Sequence, residues 1–122
     1  MYDVTIRKTF SAAHLLKEIG GKCEALHGHN FVVEVTVRAA ALNGQDLLVD
    51  FREVKGWTQE ILDRLDHRYL NELDFFRDCN PSSERIARFL FEQLAPRAQS
   101  AQVTLAKVTV WESENAKVSY SL

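Results

Sequence analysis

The chain has 122 residues, 46% of them hydrophobic and 26% charged, with a formal net charge of -2 from 15 basic and 17 acidic side chains. This length predicts a single domain over residues 1–122 with one modest core, and the near-neutral charge excludes the electrostatic footprint of a protein that binds nucleic acid or an anionic membrane surface. No apolar run is long enough to span a bilayer, and the opening MYDVTIRK lacks the basic leader and apolar block of a signal peptide, so the expected compartment is cytoplasmic. Cys23 and Cys79 lie far apart in a chain without secretory features, so each is read as a free thiol.

Residues 3–12, DVTIRKTFSA, place Val4, Ile6 and Phe10 on one parity and Asp3, Thr5, Arg7 and Thr9 on the other, the alternation of a half-buried strand, with Lys8 as one break in the pattern. The small residues Ala12 and Ala13 lead to His14. Leu15 to Gly21 reads as a loop ending in a Gly-Gly pair, and it delivers Cys23. A longer strand from Leu26 to Ala41 puts His27 and His29 on the same parity as Phe31, Val33, Val35 and Val37, so both imidazoles continue an apolar face. Asn43-Gly44 is a turn signal, and LLVDF after it predicts a short hairpin.

A helix fits Arg52 to Leu65, with Val54, Trp57, Ile61, Leu62 and Leu65 forming one apolar stripe. The polar cluster Asp66-His67-Arg68 ends it. A second helix is predicted from Asn80 as N-cap with Pro81 at the first helical position; Ile86, Phe89, Leu90 and Leu94 form its apolar face and Pro96 terminates it. Strands over Gln102–Glu112 and Lys117–Leu122 complete a ββααββ order. The expected fold is therefore α+β, a four-stranded antiparallel sheet with two helices on one face, whose other face and open edges call for a partner.

Three neutral imidazoles suit zinc, because a tetrahedral site with three protein ligands leaves one position for water or substrate. His14 would join His27 and His29 if the first two strands are antiparallel neighbours; hydrogen-bonded histidines without a metal are the alternative. Cys23, four residues before His27, reads as a base or nucleophile where a nearby cation supplies thiolate, or as the fourth ligand of a closed site. Cys79 has no such neighbours and reads as a packed, inert residue. Asp66 beside His67 is either a carboxylate-imidazole pair, provided the helix has ended, or a helix-end cap. Glu112 continues the face of Val108 and Val110, where a carboxylate needs a partner: a heterocycle with adjacent N–H groups, an arginine, or backbone amides.

Taken in order, SAAH at 11–14, CEALHGHNF at 23–31, LVDF at 48–51, LDHRYLN at 65–71, NPSSE at 80–84 and WES at 111–113 resemble the 6-pyruvoyl-tetrahydropterin synthase superfamily across nearly the whole chain. The Cys-x3-His-Gly-His spacing is most similar to the bacterial branch, the 6-carboxy-5,6,7,8-tetrahydropterin synthases of queuosine biosynthesis. The resemblance implies the tunnelling fold, in which trimeric barrels stack into a homohexamer with sites between subunits. It implies catalytic Zn2+ on His14, His27 and His29, Cys23 as the proton-abstracting base, an Asp66–His67 relay that serves a neighbour's Cys23, and Glu112 as the anchor of the pterin's 2-amino and N3–H groups. The implied substrate is 7,8-dihydroneopterin triphosphate, cleaved to a 6-carboxypterin, acetaldehyde and triphosphate with no nicotinamide or flavin. Two residues depart from the branch pattern. Leu15 replaces a commonly basic residue, and Glu24 stands at the Glu-x2-His-Gly-His spacing of a relative that uses glutamate in dihydroneopterin aldolase chemistry.

Overall fold

The computed structural model describes residues 1–122. Strand β1 (Tyr2–His14) pairs antiparallel with β2 (His27–Ala39), after which come helix α1 (Phe51–Leu62), a two-residue strand β3 (Arg68–Tyr69), helix α2 (Ser83–Ser100), β4 (Thr104–Ser113) and β5 (Ala116–Tyr120). The sheet order is β3-β1-β2-β4-β5. The α+β architecture is the expected one, with a fifth strand added: β3 runs parallel to β1 and pairs with Ala12 and Ala13. Its shortness hid it, since two residues carry no alternation.

The two predicted alternations coincide with burial. Ile6, Phe10, Ala12 and His14 of β1 are buried on the same face as Phe31, Val33, Val35 and Val37 of β2, and the register sets Phe10 against Phe31. Val54, Ile61 and Leu62 of α1 and Ile86, Leu90 and Leu94 of α2 cover that face, giving a core of 25 buried hydrophobic residues. Each fully buried aliphatic or aromatic side chain contributes roughly 1.5–3 kcal/mol.

The opposite face is polar rather than apolar. Thr5 and Thr36 hydroxyls bond at 2.8 Å, Thr109 and Ser119 at 2.7 Å, and the Trp111 indole donates to Glu34 at 2.8 Å under the Lys117 ammonium. A partner for this sheet is therefore called for by its strand edges and not by an exposed apolar face. No helix is long and apolar enough to cross a membrane.

Several local expectations are corrected. Asn43-Gly44 makes no hairpin: the Asn43 side chain accepts from Gln45 and Leu47 N–H at 2.8 and 3.1 Å, folding the segment into a compact loop instead of strands. Helix α1 stops at Leu62, with Asp50 as its N-cap. The N-cap of α2 is Ser82, because the Asn80 amide bonds to Lys17 instead and leaves Pro81 outside the helix. Pro96 does not end α2; buried Leu94 and Ala98 on either side anchor the turn that lacks its N–H donor.

Candidate metal centre and its surroundings

The β1–β2 register places His14 directly opposite His27, and Ala12 opposite His29. All three imidazoles thus leave the core face at one end of the sheet. They pack edge to face with ring centroids 4.5, 4.8 and 5.3 Å apart, and Phe31 lies beneath His14 and His29. From β4, Glu112 joins them, so that one ligand atom from each of His14, His27, His29 and Glu112 lies within 4.8 Å of the others.

The tautomers are set by the backbone. His14 Nδ1 donates to the Pro81 carbonyl at 2.8 Å and His27 Nδ1 to the Ala25 carbonyl at 2.8 Å, since a carbonyl only accepts. Each ring therefore presents Nε2 with a free lone pair. Glu112 Oε1 sits 3.3 Å from His14 Nε2 and 3.0 Å from His29 Nε2, yet off the line a hydrogen bond requires, and both Nε2 atoms are buried without a hydrogen-bond partner. His14 is 0% exposed. An orphaned buried nitrogen costs about 1–3 kcal/mol, a cost that a cation at the convergence point would remove. Burial pushes His29 below the ordinary imidazole range and so favours its neutral form, against the Glu112 carboxylate, which favours the charged one. Three neutral nitrogens and a carboxylate fit zinc.

Asp66 and His67 meet despite being adjacent, because α1 has ended and His67 takes a left-handed backbone at φ 59°. Asp66 Oδ2 lies 3.1 Å from His67 Nδ1. Two further bonds fasten the pair to the edge of β1: Ser11 N–H donates to Asp66 Oδ1 at 2.8 Å, and His67 N–H donates to the Ser11 carbonyl at 2.6 Å. The Ser11 amide first, and then His67, hold the Asp66 carboxyl below the usual range against partial desolvation. The His67 side chain is 83% exposed and borders a cavity of ≈480 Å³ with Ser11, Asn30, Arg68 and Tyr69.

Cys23 lies half-buried in a single 3₁₀ turn over Gly21–Glu24, outside the metal-ligand group. Glu24 beside it accepts from Glu18 N–H at 2.9 Å. Cys79 packs against the core. A second, smaller cavity of ≈100 Å³ runs from Glu112 to Ser82, Ser83 and Lys117. Ser83 Oγ is buried there without a partner. Ser83 and the Pro81 carbonyl were not singled out from the sequence: a serine in a helix-start motif reads as a cap, and a main-chain carbonyl leaves no residue-type signal.

The sequence matches the family described as 6-pyruvoyl tetrahydropterin synthase over residues 3–122. A 6-carboxy-5,6,7,8-tetrahydropterin synthase of Aquifex aeolicus (strain VF5) is 29% identical over 122 residues, covering 81% of this chain and 75% of that protein. A dihydroneopterin monophosphate aldolase of Pyrococcus furiosus is 33% identical over 109 residues, covering 89% and 88%. The solved structure of Caenorhabditis elegans 6-pyruvoyl tetrahydropterin synthase superposes with a TM-score of 0.85 at 30% identity, covering 100% of this chain and 97% of that one.

Proposed function

The chain belongs to the 6-pyruvoyl tetrahydropterin synthase family, and from that premise we propose that it is a zinc-dependent lyase converting 7,8-dihydroneopterin triphosphate to 6-carboxy-5,6,7,8-tetrahydropterin with release of acetaldehyde and triphosphate. The observation that carries the reading is the convergence of three imidazoles, with the tautomers of His14 and His27 fixed from behind by carbonyls. His14, His27 and His29 hold the zinc. Bound there, zinc supplies Lewis acidity toward the side-chain hydroxyls of the substrate.

Cys23 removes the side-chain proton, and His67 moves protons with Asp66 holding its Nδ1–H. Glu112 accepts from the pterin's 2-amino and N3–H groups once its carboxylate turns from the imidazoles to the adjoining cavity, where Ser83 Oγ offers a second polar contact. At ≈100 Å³ that cavity falls short of the roughly 300–1,000 Å³ typical of ligand sites. A neighbouring subunit supplies the missing wall in a homohexamer of two stacked trimers, and there the exposed Asp66–His67 pair serves the Cys23 of another chain. This arrangement suits a cytoplasmic enzyme of queuosine biosynthesis.

Glu24 carries a second reading, dihydroneopterin cleavage with the glutamate as base, supported by its spacing to His27 and by the aldolase relative. Its bond to Glu18 N–H favours Cys23 as the base of the main reaction. Incubation of the zinc-loaded protein with 7,8-dihydroneopterin triphosphate tests the assignment. A 6-carboxypterin with acetaldehyde supports it, and a pyruvoyl product sinks it. Cleavage of unphosphorylated dihydroneopterin alone transfers the role to Glu24; full zinc occupancy without turnover leaves a zinc- and pterin-binding module.

A further inference from the structure

Residues 15–18 form no strand, yet all four of their backbone N–H groups are bonded, and the partners alternate between two flanks as they do along a strand. On one flank, Leu15 N–H donates to Asn71 Oδ1 at 3.0 Å and Lys17 N–H to Asn80 Oδ1 at 2.7 Å. On the other, Leu16 N–H donates to the Cys23 carbonyl at 2.7 Å and Glu18 N–H to Glu24 Oε1 at 2.9 Å. The asparagines also donate in return: Asn71 Nδ2 to the Leu15 carbonyl at 3.1 Å, and Asn80 Nδ2 to the Lys17 carbonyl at 2.9 Å. A primary amide carries an acceptor and a donor side by side, as the edge of a strand does. Asn71 and Asn80 are two detached rungs of a ladder.

The turn docked on the far flank has little else to hold it. No residue of Gly21–Glu24 is buried, and the approach to it runs through left-handed backbone at Glu18 (φ 67°), Gly20 (φ 76°) and Gly21 (φ 72°). Polar bonds, and not packing, fix where Cys23 stands relative to His14, the residue immediately before the ladder.

We propose that Asn71 and Asn80 are positioning residues for Cys23, clamping Leu15 and Lys17 so that the alternate N–H groups, those of Leu16 and Glu18, hold the Cys23 turn. This rests on the reading of Cys23 as the base. The full-length protein is compared with its Asn71→Ala, Asn80→Ala and double variants for zinc content, kcat and KM on 7,8-dihydroneopterin triphosphate, amide exchange at residues 15–18, and iodoacetamide alkylation of Cys23 relative to Cys79. Exchange is expected to speed up at Leu16 and Glu18, which the asparagines do not touch, and Cys23 alkylation with it. Zinc content stays at the level of the parent protein, while kcat falls roughly ten- to a hundredfold, as misplacement of a catalytic group by about 1 Å does, and KM changes little.

Asn80→Asp keeps the acceptor for Lys17 N–H and loses the donor, so it falls between Asn80→Ala and the parent; with Asn71→Asp it carries the test where an alanine variant does not fold. Unchanged kcat despite faster exchange overturns the proposal. So does a kcat loss with exchange unchanged, or one that tracks zinc loss. Should Cys23→Ala retain full turnover, the base reading fails separately, and exchange with alkylation still decides the clamp.

Discussion

The His14, His27, His29 and Glu112 cluster and the Asp66–His67 pair are both made of imidazole and carboxylate, but they are built in opposite ways. The first draws on three strands, points into the core face and buries His14 completely. The second comes from adjacent residues after a helix end, is fastened to β1 by the backbone of Ser11, and leaves His67 83% exposed. The donors of the first cluster converge around one buried imidazole and all come from one chain. The Asp66–His67 pair is fixed but faces solvent, open to a group from another chain.

The largest effect should come from the buried side of this contrast. His27→Ala is expected to lose zinc and activity together, with turnover down by more than about a hundredfold, measured as metal content and product formation on the same sample. Cys23→Ala should keep zinc and lose on the order of 10²–10⁴ in rate; expulsion of the metal would instead make Cys23 a fourth ligand and the site closed. His67→Ala should also keep zinc and lose roughly a hundredfold. Mixing it with Cys23→Ala subunits then breaks or sharpens the contrast directly: recovered activity in the mixed oligomer places the two groups of one site on different chains, and no recovery places them on the same chain.

A smaller effect is expected for Glu112→Ala, with metal retained and pterin affinity lowered by about 1.5–3 kcal/mol, the worth of hydrogen bonds to a charged group. Calorimetry with a pterin reads it, and parallel metal loss would make Glu112 a ligand instead of an anchor. The smallest concerns the start of α1. Bonds from the Arg52 side chain and then its backbone N–H lower the Asp50 pKa to about 2. A carboxylate with a depressed folded pKa stabilises fully above its unfolded value near 4 and loses that contribution as pH falls toward 2. Acid unfolding of Asp50→Asn should therefore differ least from the parent at the bottom of that window.

Much of this was legible in order along the chain. The period-two patterns put Ile6 with Phe10, and Phe31 with His27 and His29, each on one face of a strand, His14 joining them if the two strands are antiparallel neighbours, and the stripe of α1 named the residues that cover that face. Misreadings came where a side chain had two possible partners. Asn80 has the spacing of a helix cap, yet its amide bonds Lys17, 63 residues away, and Ser82 caps the helix instead. Asn43 has the spacing of a hairpin turn, yet it bonds its own loop.

What the sequence determined by itself is what near neighbours decide: alternation, helical stripes and the identity of donors, because strand and helix periodicities fix which residues share a face. Only the tertiary structure decided which of those donors meet. The Pro81 carbonyl fixes the tautomer of His14 across 67 residues, and the Ser11 amide fastens Asp66 across 55. Such bonds join backbone groups that every residue carries, so no residue type or spacing marks them before the chain has folded.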